Sequence, residues 1–380
     1  MKVLIVFGTR PEAIKLAPVV RELAGRPDVD CKVCVTGQHR EMLAQVLELF
    51  ELRPEWNLDV MRPDQDLAYL TGAALSGISE VLGAFRPDRV IVQGDTTTTF
   101  AGALAAFYHR IPVAHVEAGL RTDNIYSPWP EEVNRRLVSH IADLHFPPTA
   151  RARDNLLREG IGEERILVTG NTGIDALLRV SALLDGRPAL RSRCQSVLPA
   201  RFAGRRLILM TGHRREAFDG GLVRVCSAMA AIASRPDAAI VFPVHRNPNV
   251  RRAVERLRGH EYVYLVEPVD YLELVFLLKQ CHFVVTDSGG IQEEAPSFGK
   301  PVLVTRDTTE RPEAMELGLA KLVGTDESRL LEEMTALLDD PAEYSRMSRA
   351  ENPYGDGQAS RRIADRLTSG EIGRPPNTGS

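Results

Sequence analysis

Residues 283–294 read Phe-Val-Val-Thr-Asp-Ser-Gly-Gly-Ile-Gln-Glu-Glu, which predicts a buried strand, a turn of small residues and the first turn of a helix. The free backbone N–H groups of such a turn, together with the helix dipole, form an anion site. Ser288, Gly289 and Gly290 leave room for a phosphate to approach the backbone. Glu294 lies one turn along the same helix face, where its carboxylate can accept from both ribose hydroxyls. The segment indicates a nucleotide site; the alternative is a tight turn with surface glutamates.

Short apolar runs separated by helical patterns recur along the whole chain. Their continuous rather than alternating apolar character is typical of parallel sheets that are covered on both faces. We therefore expect an α/β protein with two doubly wound, Rossmann-like domains. Ligands in such sheets bind beyond the carboxyl ends of the strands, so the two domains would share an interdomain cleft. The predicted strands are Val3–Phe7, Lys32–Thr36, Arg89–Gln93, Val113–Glu117, Leu144–Phe146, Ile166–Thr169, Leu207–Thr211, Ala239–Pro243, Val263–Glu267, Phe283–Thr286, Val302–Thr305 and Lys321–Val323.

A chain of 380 residues is longer than one core usually serves, so two domains are expected. The predicted boundary lies at Gly170, which gives a first domain of residues 1–170 and a second of residues 171–355. Pro188–Arg206 is interpreted as a helix and loop inside the second domain. A short helix is predicted over Ala359–Leu367, and the Gly- and Pro-rich residues 370–380 are expected to be a disordered tail.

The bulk composition narrows the class of protein. A net charge of −4 argues against a general nucleic-acid surface, and no continuous apolar run approaches membrane-spanning length. The N-terminal run Val3–Phe7 is too short for a signal sequence. The five cysteines are an odd number and do not have the spacing of a disulfide framework, which indicates a protein of the reducing cytoplasm. Cys31 and Cys34 form a lone CxxC pattern within a predicted strand, so we expect no metal site.

Three carboxylates and two cations stand at the ends of predicted strands in the first half. Arg10 and Lys15 lie near a predicted helix N-terminus, where the dipole disfavours cations and an anionic partner would offset this. Asp95, Glu117 and Glu131 follow strands or open a helix, and without a metal motif they suggest acid–base work. The alternatives are solvated surface cations, a helix N-cap at Asp95 and an ordinary first-turn glutamate at Glu131. No GxGxxG motif follows the first strand, so no NAD cofactor is expected.

The second half adds a histidine and an arginine to the candidate site. His213 comes directly after a predicted strand, where it could donate to a phosphate or simply cap a helix. His245 has a similar position. Arg311 could bind a diphosphate with both arms of its guanidinium.

Together these motifs resemble the non-hydrolysing UDP-N-acetylglucosamine 2-epimerases, and the resemblance extends from about residue 2 to residue 368. Singly most of the motifs are weak, but jointly they are specific. They are Phe7–Lys15, Gly94–Thr99, His115–Thr122, Pro130–Glu132, Thr211–Glu216, Thr286–Pro296, Asp307–Glu313 and Asn352–Gly357.

The resemblance implies a GT-B architecture, an active site between two domains, a last helix (residues 356–368) that returns to the first domain, and a homodimer. It also implies reversible interconversion of UDP-GlcNAc and UDP-ManNAc without a cofactor. The catalytic carboxylates would be Asp95, Glu117 and Glu131, assisted by His213. The substrate-binding residues would be Arg10, Lys15, Asp95, Glu117, His213, Ser288, Gly289, Gly290, Glu294 and Arg311.

The chain departs from the family pattern at two places. Val269 and Leu274 stand near the expected uracil position, where relatives can carry Gln and Phe; a backbone contact to the base would survive both changes. Some relatives bind a second substrate molecule as an activator, and this site would comprise Gln38, His39, Arg40 and His245. Glu41 and Asp64 replace a Gln and an Arg of those relatives, so strong activation is not expected.

The missing NAD fingerprint favours elimination of UDP through 2-acetamidoglucal over transient oxidation. Three other functions remain open at this stage. A 2-epimerase of a modified UDP-sugar would act on a substrate that differs at C3 or C6, and few residues of this sequence indicate which groups stand at those carbons. A retaining GT-B glycosyltransferase would need an acceptor site, and a hydrolysing epimerase would let water attack. A non-catalytic sugar-nucleotide sensor is disfavoured because every expected acid and cation is present.

Overall fold

The computed structural model describes residues 1–37, 40–62, 65–212, 220–349 and 351–369. Its internal contacts divide the chain into two compact units. The first comprises Met1–Ala176 together with the chain from Tyr354 onward, and the second comprises Leu177–Pro353. The division falls inside a helix, Thr172–Gly186, slightly beyond the boundary expected at Gly170.

A parallel sheet forms the centre of the first unit, with strands β1 (Lys2–Phe7), β2 (Asp30–Val35), β3 (Trp56–Asn57), β4 (Arg89–Gln93), β5 (Val113–Val116) and β6 (Leu144–Phe146). Their order in the sheet is β3-β2-β1-β4-β5-β6, and every pairing is parallel. All five residues of β4 and all four of β5 are buried, as expected for strands that are covered on both faces. The helices of this unit are α1 (Arg10–Ala24), α2 (Arg40–Leu49), α3 (Leu67–Phe85), α4 (Thr97–Tyr108), α5 (Glu131–Ile141), α6 (Ala150–Arg158) and the start of α7 (Thr172–Gly186).

The second unit repeats this arrangement with strands β7 (Arg206–Thr211), β8 (Ala238–Pro243), β9 (Val263–Val266), β10 (Phe283–Thr286), β11 (Val302–Val304) and β12 (Ala320–Leu322). They form a parallel sheet in the order β12-β11-β10-β7-β8-β9. The helices are α8 (Pro188–Gln195), α9 (Gly221–Ala233), α10 (Pro248–Ala253), α11 (Tyr271–Gln280), α12 (Gly289–Glu294), α13 (Pro312–Glu316), α14 (Glu327–Asp339) and α15 (Pro341–Ser348). The helix expected within Pro188–Arg206 is therefore present as α8.

One strand predicted from the sequence was wrong, and one strand was missed. Ile166–Thr169 is not a strand: it contacts β6 through a single bridge from Ile166 to His145 and a bond of 2.9 Å from the N–H of Leu167 to the carbonyl of His145. The sixth strand of the first sheet is instead β3, whose two residues are too few to give an apolar run. It pairs with β2 through Cys34 and Trp56.

Helix α3 contains no continuous apolar run of membrane-spanning length, in agreement with the sequence pattern. By length and composition alone its 19 residues could cross a membrane. Gly, Ser and Thr interrupt its apolar residues. In the structure α3 packs against α4. Its buried face joins the core of the first unit through Leu70, Ala74, Ile78, Val81, Leu82 and Phe85.

The predicted C-terminal helix is confirmed as α16 (Ala359–Thr368), and it packs against α1. The Asp175 carboxylate accepts from the backbone N–H groups of Ala359 and Ser360, which caps the start of α16. Burial raises the pKa of Asp175, although these bonds oppose the rise. The carbonyl of Tyr354 accepts from the N–H of Asn171 at 2.6 Å. The last helix is thus fixed within the first unit.

Candidate active site

The three predicted catalytic carboxylates converge at the carboxyl edge of the first sheet. Asp95 lies two residues beyond β4, Glu117 directly follows the neighbouring strand β5, and Glu131 is the first residue of α5. The two strand ends are joined by a bond of 3.0 Å from the N–H of Gly94 to the carbonyl of Val116. Asn134, in the first turns of α5, donates to the carbonyl of Asp95 at 2.9 Å. Local hydrogen bonds therefore fix the carboxylate-bearing segments against one another.

Glu117 is buried and held by two donors. Its Oε2 atom lies 2.5 Å from Lys15 Nζ and accepts from Gln93 Nε2 at 2.5 Å. Its backbone has a φ of 59°, a left-handed conformation that a non-glycine residue adopts at an energetic cost. A strained backbone persists only where the surrounding structure maintains it, and such residues are often found at functional sites. The Glu117 carboxylate is thus held in one orientation by Lys15 and Gln93.

Asp95 forms an ion pair with Arg135, a residue one helical turn beyond Glu131. The guanidinium of Arg135 is buried, and its other arm lies 3.3 Å from Glu132. A buried cation that bridges two carboxylates fixes both in place and is itself costly to remove. Arg135 was not singled out from the sequence, where its spacing of three residues from Glu132 predicts only the second of these ion pairs.

Glu131 differs from the other two carboxylates. Its Oε2 atom is buried, and within the described residues it has no hydrogen-bond partner. A buried acceptor without a partner costs free energy, so a hydrogen-bond donor from a ligand at this oxygen would be favoured.

A second layer of buried polar groups supports this edge. Glu12 completes a capping box with Thr9 at the start of α1 and also accepts from Thr96 and Thr99. Burial raises the pKa of Glu12, although these hydrogen bonds oppose the rise. The ring of His115 is bonded to the carbonyl of Gly94 at 2.7 Å. Thr9 is the N-cap of α1, and Arg10 begins the helix as a half-buried residue.

The predicted phosphate segment has the expected strand–turn–helix form. β10 ends at Thr286, and the Thr286 hydroxyl accepts from the N–H of Ser288 at 2.9 Å. α12 then runs from Gly289 and continues into a 3-10 turn, Ala295–Phe298. The first N–H groups of the helix lie at the carboxyl edge of the second sheet, where an anion is favoured.

Arg311 lies against this turn. Its Nε donates to Glu293 at 2.6 Å, and its Nη1 donates to Glu310 at 2.5 Å. A Cβ atom on Gly289 would come within 2.5 Å of Arg311 Nη1, so only glycine allows this approach. Burial opposes ionisation of Glu310, but the nearby guanidinium groups of Arg311 and Arg306 lower its pKa to about 2. The arginine is thus held beside the phosphate turn by two carboxylates.

Glu294, the predicted ribose ligand, ends α12 and is half-buried. Its Oε1 atom accepts from the hydroxyl of Tyr271 at 3.0 Å. Tyr271 is the first residue of α11 and is almost fully buried. Sequence reasoning missed this tyrosine because it lies on a different helix, far from Glu294 along the chain.

The remaining predicted residues divide into two groups. Val269 and Leu274 flank Tyr271 and are partly buried, whereas His245 is exposed, with its Nδ1 atom accepting from the N–H of Asn247 at 3.1 Å. His213, Gln38, His39 and the side chain of Arg40 lie outside the described residues, as do Asp64 and the side chain of Glu41. Among the residues that the structure describes, no cluster of three His, Cys, Asp or Glu side chains could hold a metal ion.

Comparison with known proteins identifies the family. A family model described as UDP-N-acetylglucosamine 2-epimerase matches residues 21–368. The chain is 56% identical to the UDP-N-acetylglucosamine 2-epimerase of Escherichia coli (strain K12) over 374 residues, which cover 98% of this chain and 100% of that protein. It is 57% identical over 364 residues to the probable UDP-N-acetylglucosamine 2-epimerase of Ralstonia nicotianae, covering 95% and 97% of the two chains.

The chain belongs to the UDP-N-acetylglucosamine 2-epimerase family. A crystal structure of the family member from Neisseria meningitidis, bound to UDP-GlcNAc, superposes with a TM-score of 0.92 at 48% identity. The match covers 97% of this chain and 100% of that one. The predicted GT-B-like fold, with two Rossmann-like parallel-sheet domains, is therefore confirmed.

Proposed function

We propose that the protein reversibly converts UDP-N-acetylglucosamine into UDP-N-acetylmannosamine by inverting carbon C2 of the sugar. One observation carries the proposal: the segments that bear Asp95, Glu117 and Glu131 meet at one sheet edge, where Arg135 pairs with Asp95 and Lys15 pairs with Glu117. Inversion requires proton exchange on both faces of C2, and hence at least two acid–base groups in one place. Membership of the epimerase family supports the same conclusion.

The second unit would hold the nucleotide. The N–H groups at Ser288, Gly289 and Gly290 and the guanidinium of Arg311 would bind the diphosphate. Glu294 would accept from the ribose hydroxyls, while the backbone near Val269 and Leu274 would contact the uracil. The bound UDP-GlcNAc in the Neisseria meningitidis relative supports this class of ligand.

The reaction would proceed by elimination and re-addition. A carboxylate removes the C2 proton, the C–H electron pair becomes the C1–C2 double bond, and the C1–O pair leaves with UDP. The products are 2-acetamidoglucal and bound UDP. Protonation of C2 from the opposite face and re-addition of UDP to C1 complete the inversion. No net oxidation occurs, so the route needs no external redox partner.

Each acidic residue has a proposed role in this route. Asp95 and Glu131 exchange protons at the two faces of C2, and Glu117 holds sugar hydroxyls or shares the proton, with His213 assisting. Charge that develops on the departing diphosphate is stabilised by Arg10, Arg311 and the turn at 288–290. The buried oxygen of Glu131 supports its role, since it has no hydrogen-bond partner within the described residues and is available to a donor from the substrate.

The decisive experiment incubates the pure protein with UDP-GlcNAc in D2O, without NAD or added metal, and follows the mixture by proton NMR. Formation of UDP-ManNAc with deuterium at C2 is the expected result. Free UDP with free ManNAc would replace the proposal with a hydrolysing epimerase. Intact UDP-GlcNAc, despite measurable binding, would favour a modified UDP-sugar as substrate. Release of UDP only in the presence of a sugar acceptor would favour a glycosyltransferase.

We further propose a homodimer that works in the cytoplasm and supplies ManNAc-type sugars for bacterial surface polysaccharides. Phe107 and Tyr108, at the end of α4, are 60% and 66% exposed and give the first unit an apolar surface suited to a second copy. Light scattering coupled to size-exclusion chromatography should give twice the chain mass of 42.0 kDa. Replacing both aromatic residues by Ser should yield the monomer if this surface forms the interface.

A further inference from the structure

The Glu294 carboxylate accepts a hydrogen bond from a side chain on another helix. The Tyr271 hydroxyl donates to Glu294 Oε1 at 3.0 Å, while the tyrosine ring is only 3% exposed. A charge-assisted bond from a buried phenol fixes one carboxylate oxygen more firmly than water would. The tyrosine also keeps the carboxylate in a geometry in which it acts as an acceptor.

The position of Tyr271 is itself built by the start of α11. Asp270 accepts from the N–H of Glu273 at 2.8 Å, and Glu273 returns a bond to the N–H of Asp270 at 2.9 Å. This capping box is anchored to α8, because Arg193 lies 2.5 Å from the Asp270 carboxylate. Tyr271 is the first helical residue after this cap. Its phenol therefore projects from a backbone that has little freedom to move.

We infer that Tyr271 is the residue that positions Glu294 for the ribose and that it thereby sets the preference for ribonucleotides over 2′-deoxyribonucleotides. This inference rests on the proposed role of Glu294 as ribose ligand. A carboxylate whose orientation is fixed can present acceptor positions to the sugar, and each ribose hydroxyl can donate one hydrogen bond to it. A 2′-deoxyribose lacks one of these hydroxyls and donates one hydrogen bond fewer. Its binding therefore depends less on the orientation of the carboxylate.

The test measures dissociation constants of UDP and 2′-deoxy-UDP by calorimetry on the wild-type protein and on Tyr271→Phe. The wild type should prefer UDP by about tenfold, which corresponds to about 1.4 kcal/mol. Tyr271→Phe should weaken UDP by about tenfold but 2′-deoxy-UDP by no more than about threefold, so the preference shrinks. Because the preference is a ratio on one protein sample, partial unfolding of the variant cancels from it.

Tyr344→Phe is the matched control. It removes a hydroxyl that donates to the carbonyl of His282 at 3.1 Å in the same unit. The control should leave both dissociation constants unchanged. In turnover assays Tyr271→Phe should raise KM for UDP-GlcNAc and leave kcat within about twofold, since the tyrosine would act on binding rather than on the reacting carbon.

Glu294→Gln completes a double-mutant cycle. If Tyr271 acts through Glu294, adding Tyr271→Phe to Glu294→Gln should cost almost nothing further. An equal loss of affinity for both nucleotides in Tyr271→Phe would overturn the inference alone, as would fully additive losses in the cycle. Failure of the wild type to bind UDP at all would instead overturn the proposed function.

Discussion

The ammonium of Lys15 on α1 lies 2.5 Å from Glu117 Oε2 in the turn after β5, although the two residues are 102 positions apart. Gln93 donates to the same oxygen from the neighbouring strand. Glu117 is buried and Lys15 is half-buried, so removing one of them would leave the other charge largely shielded from water without this partner. The Glu117 carboxylate is therefore held in one orientation by side chains from two separate elements.

Glu117→Gln should abolish most turnover without preventing nucleotide binding. The amide keeps the size of the side chain and can still accept from Lys15, but it cannot exchange a proton or carry negative charge. We expect kcat to fall by roughly 10²- to 10⁴-fold, the usual contribution of an acid–base group, while the dissociation constant for UDP changes by less than about threefold. The measurement compares initial rates by NMR with calorimetric binding of UDP.

The control for this variant is Glu48→Gln, which removes an exposed carboxylate from α2 in the same unit. It should leave kcat unchanged. If Glu117→Gln turned over substrate near the wild-type rate, the proposed catalytic role of Glu117 would be wrong.

The sequence was sufficient to predict the two parallel sheets, because every strand except the two-residue β3 is a compact apolar run between helices. It also located Asp95, Glu117 and Glu131, since chemistry in such folds gathers where strands end. The partners Arg135 and Tyr271 could not be found in this way. Each contacts its carboxylate across a large gap in sequence, and nothing in the local pattern encodes which distant side chain will meet it.

Gly289→Ala should separate the diphosphate contacts from the rest of the nucleotide site. The new methyl group would overlap the guanidinium of Arg311, which packs directly against this glycine. Arg311 would have to leave its pairs with Glu293 and Glu310, so we expect affinity for UDP to fall by at least about tenfold, or about 1.4 kcal/mol. Affinity for uridine, which lacks the diphosphate, should change far less.

Gly186→Ala provides the comparison for that variant. Gly186 ends α7 in the same unit, and an added Cβ would meet no atom within 4 Å. Its binding of UDP should match the wild type. Equal losses for UDP and uridine in Gly289→Ala would show that the methyl group disturbs more than the arginine.

The buried histidine His115 should make stability depend on pH in the weakly acidic range. Burial lowers the pKa of His115 to about 4, and the nearby Arg121 and Arg135 act in the same direction. In the unfolded chain the pKa returns to about 6.5, so between these values the unfolded state binds more protons. Stability should therefore be complete above about pH 6.5 and decline towards pH 4, by about 3 kcal/mol for this group.

His115→Gln tests this expectation, because its amide can still donate to the carbonyl of Gly94. The free energy of unfolding, measured by urea titration at several pH values, should show a smaller slope between pH 6.5 and 4 than the wild type. His145, buried opposite His115 on β6, contributes in the same direction, since burial lowers its pKa to about 3. Replacing the exposed His140 by Gln should leave the slope as it is. An unchanged slope in His115→Gln would contradict the assignment.

Gly119→Ala should be far more destabilising than Gly160→Ala, and the comparison isolates the close contact behind Glu117. Both glycines have left-handed backbones, with φ of 87° and 83°. A Cβ at Gly160 would meet nothing within 4 Å, whereas one at Gly119 would overlap the carbonyl of Ala152 on α6. Gly160→Ala should cost roughly 1–2 kcal/mol for its backbone alone. Gly119→Ala should cost a further 1–3 kcal/mol, approximately, through the clash. Urea unfolding measures both values. Equal losses would mean that α6 moves aside freely, and the turn at Glu117 would then not depend on that contact.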